Sequence, residues 1–390
     1  MDTTYADLLP VLVVALLSPL LVGLLPVRAR VPQVVLLLVG GVVIGPEVLD
    51  LSSPDSVDLL SDLGMGFLFL LAGYELDPTL TRQRTGRLAL GAWSTSLVVA
   101  VALVFVVTAP DGAHALAAGS IALTTTALGV LMPVLRDAGQ LGTRFGKTVF
   151  AVGAVGELGP IVAMALLLGT RRSGAAAVLL IAFAVVAVLL ALLPGTIRSP
   201  RIARVLLRSE HGTGQTTVRL TLVLLVALLA VAASLGFDAV LGAFLAGMIL
   251  RRWAPGDVAR LEEKLDVIAW GVFIPVFFVS SGMGLDIDSI AAQPWMPFVF
   301  LALLLVVRGV PVFAWFRRDL VRGERVQVAV YSATALPLLV AITGLAVADG
   351  AMSSASAAAL VGAGVLSVLV FPMAAQRLGS REREALVPPA

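Results

Sequence analysis

Apolar residues run along this chain in blocks of about 20, each closed by a short stretch rich in polar residues, glycine or proline. A block of that length crosses the roughly 30 Å hydrocarbon core as a helix, which satisfies its own backbone N–H and C=O groups there. The pattern predicts thirteen spans, at 7–27, 31–49, 58–77, 86–109, 113–135, 145–169, 174–194, 216–235, 237–250, 265–284, 294–316, 325–348 and 353–375. The expected fold class is an all-α polytopic membrane protein.

The connections alternate in charge, as the positive-inside rule requires of a correct span count. With the N-terminus placed outside, 24 of the 27 Lys and Arg residues fall in cytoplasmic connections or in the C-terminal tail. The opposite connections are acidic, with Glu47, Asp50, Asp55, Asp58, Asp111, Asp238, Asp286, Asp288 and Asp349. Arg171 and Arg172 are exceptions, and Arg308 falls inside a span. The expected location is the cytoplasmic membrane, crossed many times, with the C-terminus in the cytoplasm. Met1 to Asp7 lacks the basic n-region of a cleavable signal peptide, so the first run is expected to be retained. A short polar tail, 377–390, follows the last span, and the basic connection near 195–215 is expected to lie against anionic lipid.

Composition narrows the chemistry. Of 390 residues, 59% are apolar and 13% charged, about half the charged fraction of a soluble domain. With no cysteine and only His114 and His211, thiolate metal sites, a histidine zinc site and a Ser-His-Asp triad are excluded. A membrane-embedded enzyme is therefore not expected, nor is any cofactor. The net charge of +2 is spread over short interfacial clusters, which argues against a nucleic-acid partner.

An internal repeat is visible. A shift of 209 places Leu68–Asp77 (LFLLAGYELD) on Phe277–Asp286 (FFVSSGMGLD), with Gly73 on Gly282, and Val152-Gly153-Ala154 on Val361-Gly362-Ala363. A shift of 208 places Thr126-Ala127-Leu128 on Thr334-Ala335-Leu336. Partners lie seven spans apart, an odd number, so the two copies run in opposite directions, as in many transporters. The expected organisation is a first six-helix repeat, 1–173, a linker helix and cytoplasmic loop, 174–215, a second inverted repeat, 216–376, and the tail, 377–390.

Two charges sit deep in apolar spans, where each costs about 2.5–3.5 kcal/mol and marks function by default: Glu157 in span 6 and Arg308 in span 11. Pro160 and Pro311 lack an N–H, so each withdraws the usual donor from the carbonyl four residues earlier, Gly156 and Val307, beside the two charges. Carboxylate, carbonyl and hydroxyl oxygens together suit a hard cation. Hydroxyls come from Thr124, Thr125 and Thr126 in span 5, and from Ser332 and Thr334, followed by Pro337, in span 12. Both places read as broken helices whose ends meet near the midplane. The competing readings are a structural Glu157–Arg308 ion pair, and threonine hydroxyls that simply bond back to their own helix. Glu75, near the cytoplasmic end of span 3, is a further candidate on an ion path.

Four segments, VVLLLVGGVVIGPEVL (34–49), FLFLLAGYELD (67–77), LGAFLAGMIL (241–250) and GVFIPVFFVSSGMGLD (271–286), resemble the monovalent cation:proton antiporters, specifically the Kef-type sodium/hydrogen exchanger branch. The resemblance covers nearly the whole chain. It implies a homodimer, with a core of spans 4–6 and 11–13 moving against spans 1–3 and 8–10. It also implies crossed unwound helices in spans 5 and 12, an ion-binding acid at Glu157, and Arg308 as its charge partner. Many members carry two acidic residues, or Asn-Asp, and a Lys where this chain has Gly156-Glu157 and Arg308; a single carboxylate is similar to the electroneutral arrangement. Kef potassium-efflux proteins usually add a cytoplasmic nucleotide-binding domain, which is not expected here. The implied activity is exchange of Na+ or K+ for H+, with Glu157 as shared carrier. An organic-anion transporter of the same architecture using Arg308, or a K+ efflux component, is the alternative.

Overall fold

The structure, a computed structural model, describes residues 5–24, 32–75, 83–108, 112–140, 142–167, 185, 215–235, 237, 239–253 and 258–386. Its helices are α1 (Tyr5–Leu24), α2 (Gln33–Ile44), α3 (Asp58–Glu75), α4 (Arg84–Thr108), α5 (Ala113–Leu123), α6 (Leu128–Asp137), α7 (Arg144–Leu167), α8 (Thr216–Ser234), α9 (Ala239–Trp253), α10 (Val258–Ile268), α11 (Ile274–Met283), α12 (Ile287–Ala292), α13 (Met296–Leu304), α14 (Val310–Trp315), α15 (Arg322–Ser332), α16 (Pro337–Ala348) and α17 (Ser354–Leu386). No strand occurs among the described residues. Among the described residues ten stretches are long and apolar enough to cross a membrane, and Gln33–Ile44 is a shorter apolar helix.

Each expected span lies on helix except 174–194, which apart from Val185 falls outside the described residues together with the basic loop to 214. The last span runs further than expected: α17 continues through Arg377 to Leu386, so most of the expected tail is a helical extension. No proline interrupts the chain between Pro372 and Pro388, and Arg and Glu are good helix formers once outside the hydrocarbon.

The chain divides into two compact units, each drawing on both halves of the sequence. Met1–Asp77 and Gly169–Gly284 form one, with α1–α3 and α8–α11; Pro78–Leu168 and Leu285–Ala390 form the other, with α4–α7 and α12–α17. These are the two groups of spans that the family resemblance implies.

In the first unit, helices meet backbone to backbone through glycine. A Cβ on Gly73 of α3 would collide with the carbonyl oxygen of Phe244 in α9, and one on Gly282 of α11 with that of Leu38 in α2. Gly73 and Gly282 are the pair that the internal repeat superposes, so equivalent glycines perform the same task in both copies. Small residues at such contacts are how membrane helices associate, because lipid gives apolar side chains little reason to leave it. A Gly73→Val substitution is expected to lower the midpoint of thermal unfolding sharply, since overpacking costs about 1–3 kcal/mol even where neighbours can move. Gly344→Ala, at a helix position with nothing within 4 Å, is the matched control and should not lower it.

Asp286, at the end of the segment GVFIPVFFVSSGMGLD, caps α12: its Oδ1 accepts from Ser289 N at 2.8 Å and its Oδ2 from Ser289 Oγ at 2.7 Å. These bonds hold its carboxyl below the usual aspartate range.

Candidate functional site

The second unit contains both broken helices. α5 ends at Leu123 and α6 begins at Leu128; α15 ends at Ser332 and α16 begins at Pro337. The two gaps touch: the N–H of Ala127 donates to the carbonyl of Thr334 at 2.7 Å, and Thr126 Oγ1 donates to the carbonyl of Ser332 at 2.6 Å. Unwound backbone persists at membrane depth only where its polar groups find partners. Here Thr124 N and Thr125 N bond back to Ile121 O and Ala122 O, Ala333 N and Thr334 N to Val330 O and Tyr331 O, and Ala335 N to Ser367 Oγ.

A further donor, Thr126 N, reaches the carbonyl of Gly156 in α7 at 3.0 Å. This is the carbonyl that Pro160 strips of its helical donor, so the proline in one helix and the break in another satisfy each other. The second break is satisfied differently: Thr334 N, which the shift of 208 places on Thr126 N, bonds back to Tyr331 O, and the Gly364 carbonyl accepts from Ser367 Oγ at 2.7 Å. Gly364 of α17, related to Gly156 by the shift of 208, faces the second break, where its Cβ would meet Ala335 O at 2.9 Å. The charges also differ between the aligned positions: at the same shift Glu157 corresponds to Val365 and Arg308 to Ala100.

Pro311 is accommodated differently. A π-helical turn, Leu305–Gly309, precedes it and carries Arg308. Such wide turns absorb a residue that cannot join the regular ladder and recur at functional sites. Arg308 is 1% exposed. Its Nε and Nη2 donate to Thr126 Oγ1 at 3.1 and 2.9 Å; Nη1 reaches Ser96 Oγ at 3.5 Å and Nη2 reaches Val152 O at 3.4 Å, both at the outer limit of hydrogen bonding. No carboxylate among the described residues lies within 4.0 Å of it. The guanidinium thus clamps the crossing through a hydroxyl rather than closing an ion pair with Glu157.

Glu157 is 6% exposed and one residue from the Gly156 carbonyl. It shares a face of α7 with Gly153, whose Cβ would meet Leu128 at 2.8 Å, at the first turn of α6. Gly156 has no room for a side chain, because a Cβ there would strike Thr126 Oγ1 and lie 2.6 Å from Arg308 Nη2. The departure from two polar residues in the 156–157 pair therefore has a physical counterpart: the guanidinium occupies the adjoining space.

The structure brings Gly156, Glu157, Thr126, Ser332, Thr334 and Arg308 to one crossing. Thr124 and Thr125 follow the competing reading for their hydroxyls, which donate to Ile121 O and Ala122 O at 2.8 and 2.9 Å. Pro337 opens α16, where its missing N–H costs nothing. Thr334 Oγ1 is fully buried and has no hydrogen-bond partner among the described residues. Glu75 lies in the other unit, at the end of α3, where Arg251 Nη1 donates to the carbonyls of Tyr74 and Glu75 at 2.7 and 3.0 Å. Sequence reasoning missed Ser96, which helps hold Arg308, and Ser367, which satisfies the second break. The one available signal was a hydroxyl within an otherwise apolar span.

The profile described as "Sodium/hydrogen exchanger, transmembrane" matches residues 12–379. Among relatives, the chain is 26% identical to YjbQ of Bacillus subtilis, over 98% of this chain and 64% of that protein. It is 30% identical to Cation/H(+) antiporter 17 of Arabidopsis thaliana, over 74% of this chain and 38% of that protein. It is 29% identical to the Na(+)/H(+)-K(+) antiporter GerN of Bacillus cereus, over 75% and 74%. The chain thus spans less than two thirds of the length of the first two. The solved structure of the sodium proton antiporter MjNhaP1 from Methanocaldococcus jannaschii shares the fold, with a TM-score of 0.67 over 95% of this chain and 97% of that one at 17% identity. With its profile match running nearly end to end, the chain belongs to the sodium/hydrogen exchanger family of multi-pass membrane proteins.

Proposed function

We propose that the chain exchanges a monovalent cation for H+ across the cytoplasmic membrane by alternating access, with Glu157 holding either a proton or the cation and never both. The observation that carries this reading is the crossing itself, where the Ala127–Thr334 and Thr126–Gly156 bonds fix two broken helices beside the buried acid. Such a crossing gathers helix ends, with their partial charges, and neutral oxygens at membrane depth. Thr334 Oγ1, buried and without a hydrogen-bond partner among the described residues, supports its use as a neutral ligand. Among the described residues no cluster of three or more acidic or His residues gathers, which suits a singly charged ion better than a divalent one.

Na+ is the first candidate and K+ the second, and the name of GerN supports considering both. One carboxylate carrying one charge either way makes the cycle electroneutral. An empty, ionised Glu157 crosses the apolar barrier slowly, which couples the two fluxes instead of letting either leak. The chain works as a homodimer in the lipid bilayer, N-terminus outside and C-terminus in the cytoplasm. Inverted vesicles holding a respiration-driven pH gradient test this reading. Adding NaCl, and to a lesser degree KCl, should collapse the gradient, and in proteoliposomes an imposed membrane potential alone should drive no exchange. A gradient indifferent to NaCl, KCl and LiCl alike would overturn it.

A further inference from the structure

A cavity of about 410 Å³ opens at one end of the second unit, lined by Arg84, Leu88, Ala314, Trp315, Arg317, Arg318 and Asp319. Two candidate membrane spans terminate in it, Arg84–Val106 at its start and Met296–Arg318 at its end. The cavity therefore lies at headgroup depth, on the cytoplasmic side by the distribution of basic residues.

Its charge is unbalanced by design of the pairing within it. Arg84 is already matched: its Nε meets Asp319 Oδ1 at 3.0 Å and its Nη2 meets Oδ2 at 3.3 Å. Arg144 donates from Nη2 to the Asp319 carbonyl at 2.7 Å, adding a further guanidinium to the corner. Arg317 and Arg318, both exposed on a 3-10 turn, form no ion pair among the described residues. The wall between them and the hydrocarbon is rigid and amphipathic. Trp315 lays its ring on Gly91 and donates from Nε1 to Thr95 Oγ1 at 3.0 Å, while Leu88 and Ala314 add apolar surface.

We propose that this corner binds the headgroup phosphate of an anionic phospholipid, with its first methylenes against Leu88, Ala314 and Trp315. Guanidinium forks match phosphate oxygens bidentately, and basic pockets between helices at the cytoplasmic surface suit such headgroups. The Arg84–Asp319 pair sets the spacing, and Arg317 and Arg318 supply the charge that the phosphate neutralises. The lipid would link the start of α4 to the end of α14 without touching Glu157.

The test uses the full chain purified in neutral detergent. Phosphatidylglycerol should raise the unfolding midpoint by about 2 °C or more, and phosphatidylcholine or inorganic phosphate at equal concentration should not. An Arg317→Gln/Arg318→Gln double variant should lose most of that shift. Native mass spectrometry of the unaltered chain provides a readout needing no variant, and should count more retained phosphatidylglycerol than phosphatidylcholine. An equal shift in the double variant, equal retention of both lipids, or a full shift from inorganic phosphate alone would overturn the proposal.

Discussion

An Arg308→Met chain is expected to unfold at a temperature equal to or above that of the parent, yet to lose about tenfold or more of its cation-driven proton movement. The two halves of this expectation have different origins. Burying a guanidinium costs several kcal/mol of hydration. What it receives in return is two bonds to one threonine hydroxyl and two long contacts, with no carboxylate among the described residues within 4.0 Å. Met fills similar volume without that cost, and Thr126 Oγ1 keeps its bond to Ser332 O. A charge that does not stabilise the fold is retained for another reason. At an effective dielectric constant of 20, a unit charge in the same buried site is worth on the order of 1 kcal/mol or more, roughly tenfold in an equilibrium constant. Removing it resets the balance between proton and cation at Glu157. Thermal unfolding alongside vesicle transport separates the two effects; a midpoint several degrees lower would identify Arg308 as a structural clamp instead.

Glu157→Gln should abolish cation-driven dissipation of the pH gradient while leaving the unfolding midpoint little changed. The amide preserves the shape of the side chain and keeps hydrogen-bonding capacity, so the buried face of α7 stays packed. It can neither release a proton in this pH range nor carry the charge that draws a cation out of water. Residual exchange above the background of empty vesicles would remove Glu157 from the cycle and turn attention to Glu75 in the other unit.

The long-range plan was legible in the amino-acid order because hydrocarbon leaves few choices. Apolar blocks of the right length had to be helices, and Glu157 and Arg308 stood out as charges with no water to face. The breaks were legible for a related reason: Thr124-Thr125-Thr126 and Ser332 to Pro337 are poor stretches for uninterrupted helix. Several features depended on contacts far apart in sequence and left no local trace. Thr126 meets Ser332 across a separation of 206 residues, and Arg308 meets Ser96 across 212. The Gly156 carbonyl was foreseeable as unpartnered, but its donor, Thr126 N, was not. The π-helical turns before Pro275 and Pro311 share the apolar composition of ordinary helix, and the run of α17 to Leu386 needed no hydrophobic pattern to continue.

Competition between H+ and a cation for one carboxylate has a direct thermodynamic signature. Binding of radiolabelled Na+ to the purified chain, measured across a pH series, is predicted to weaken about tenfold per unit of pH on the acid side and to level off on the alkaline side, because each ion bound displaces one proton. The Glu157→Gln chain should show no saturable binding at any pH. Na+ affinity that stays constant with pH, or survives in that variant, would contradict the account.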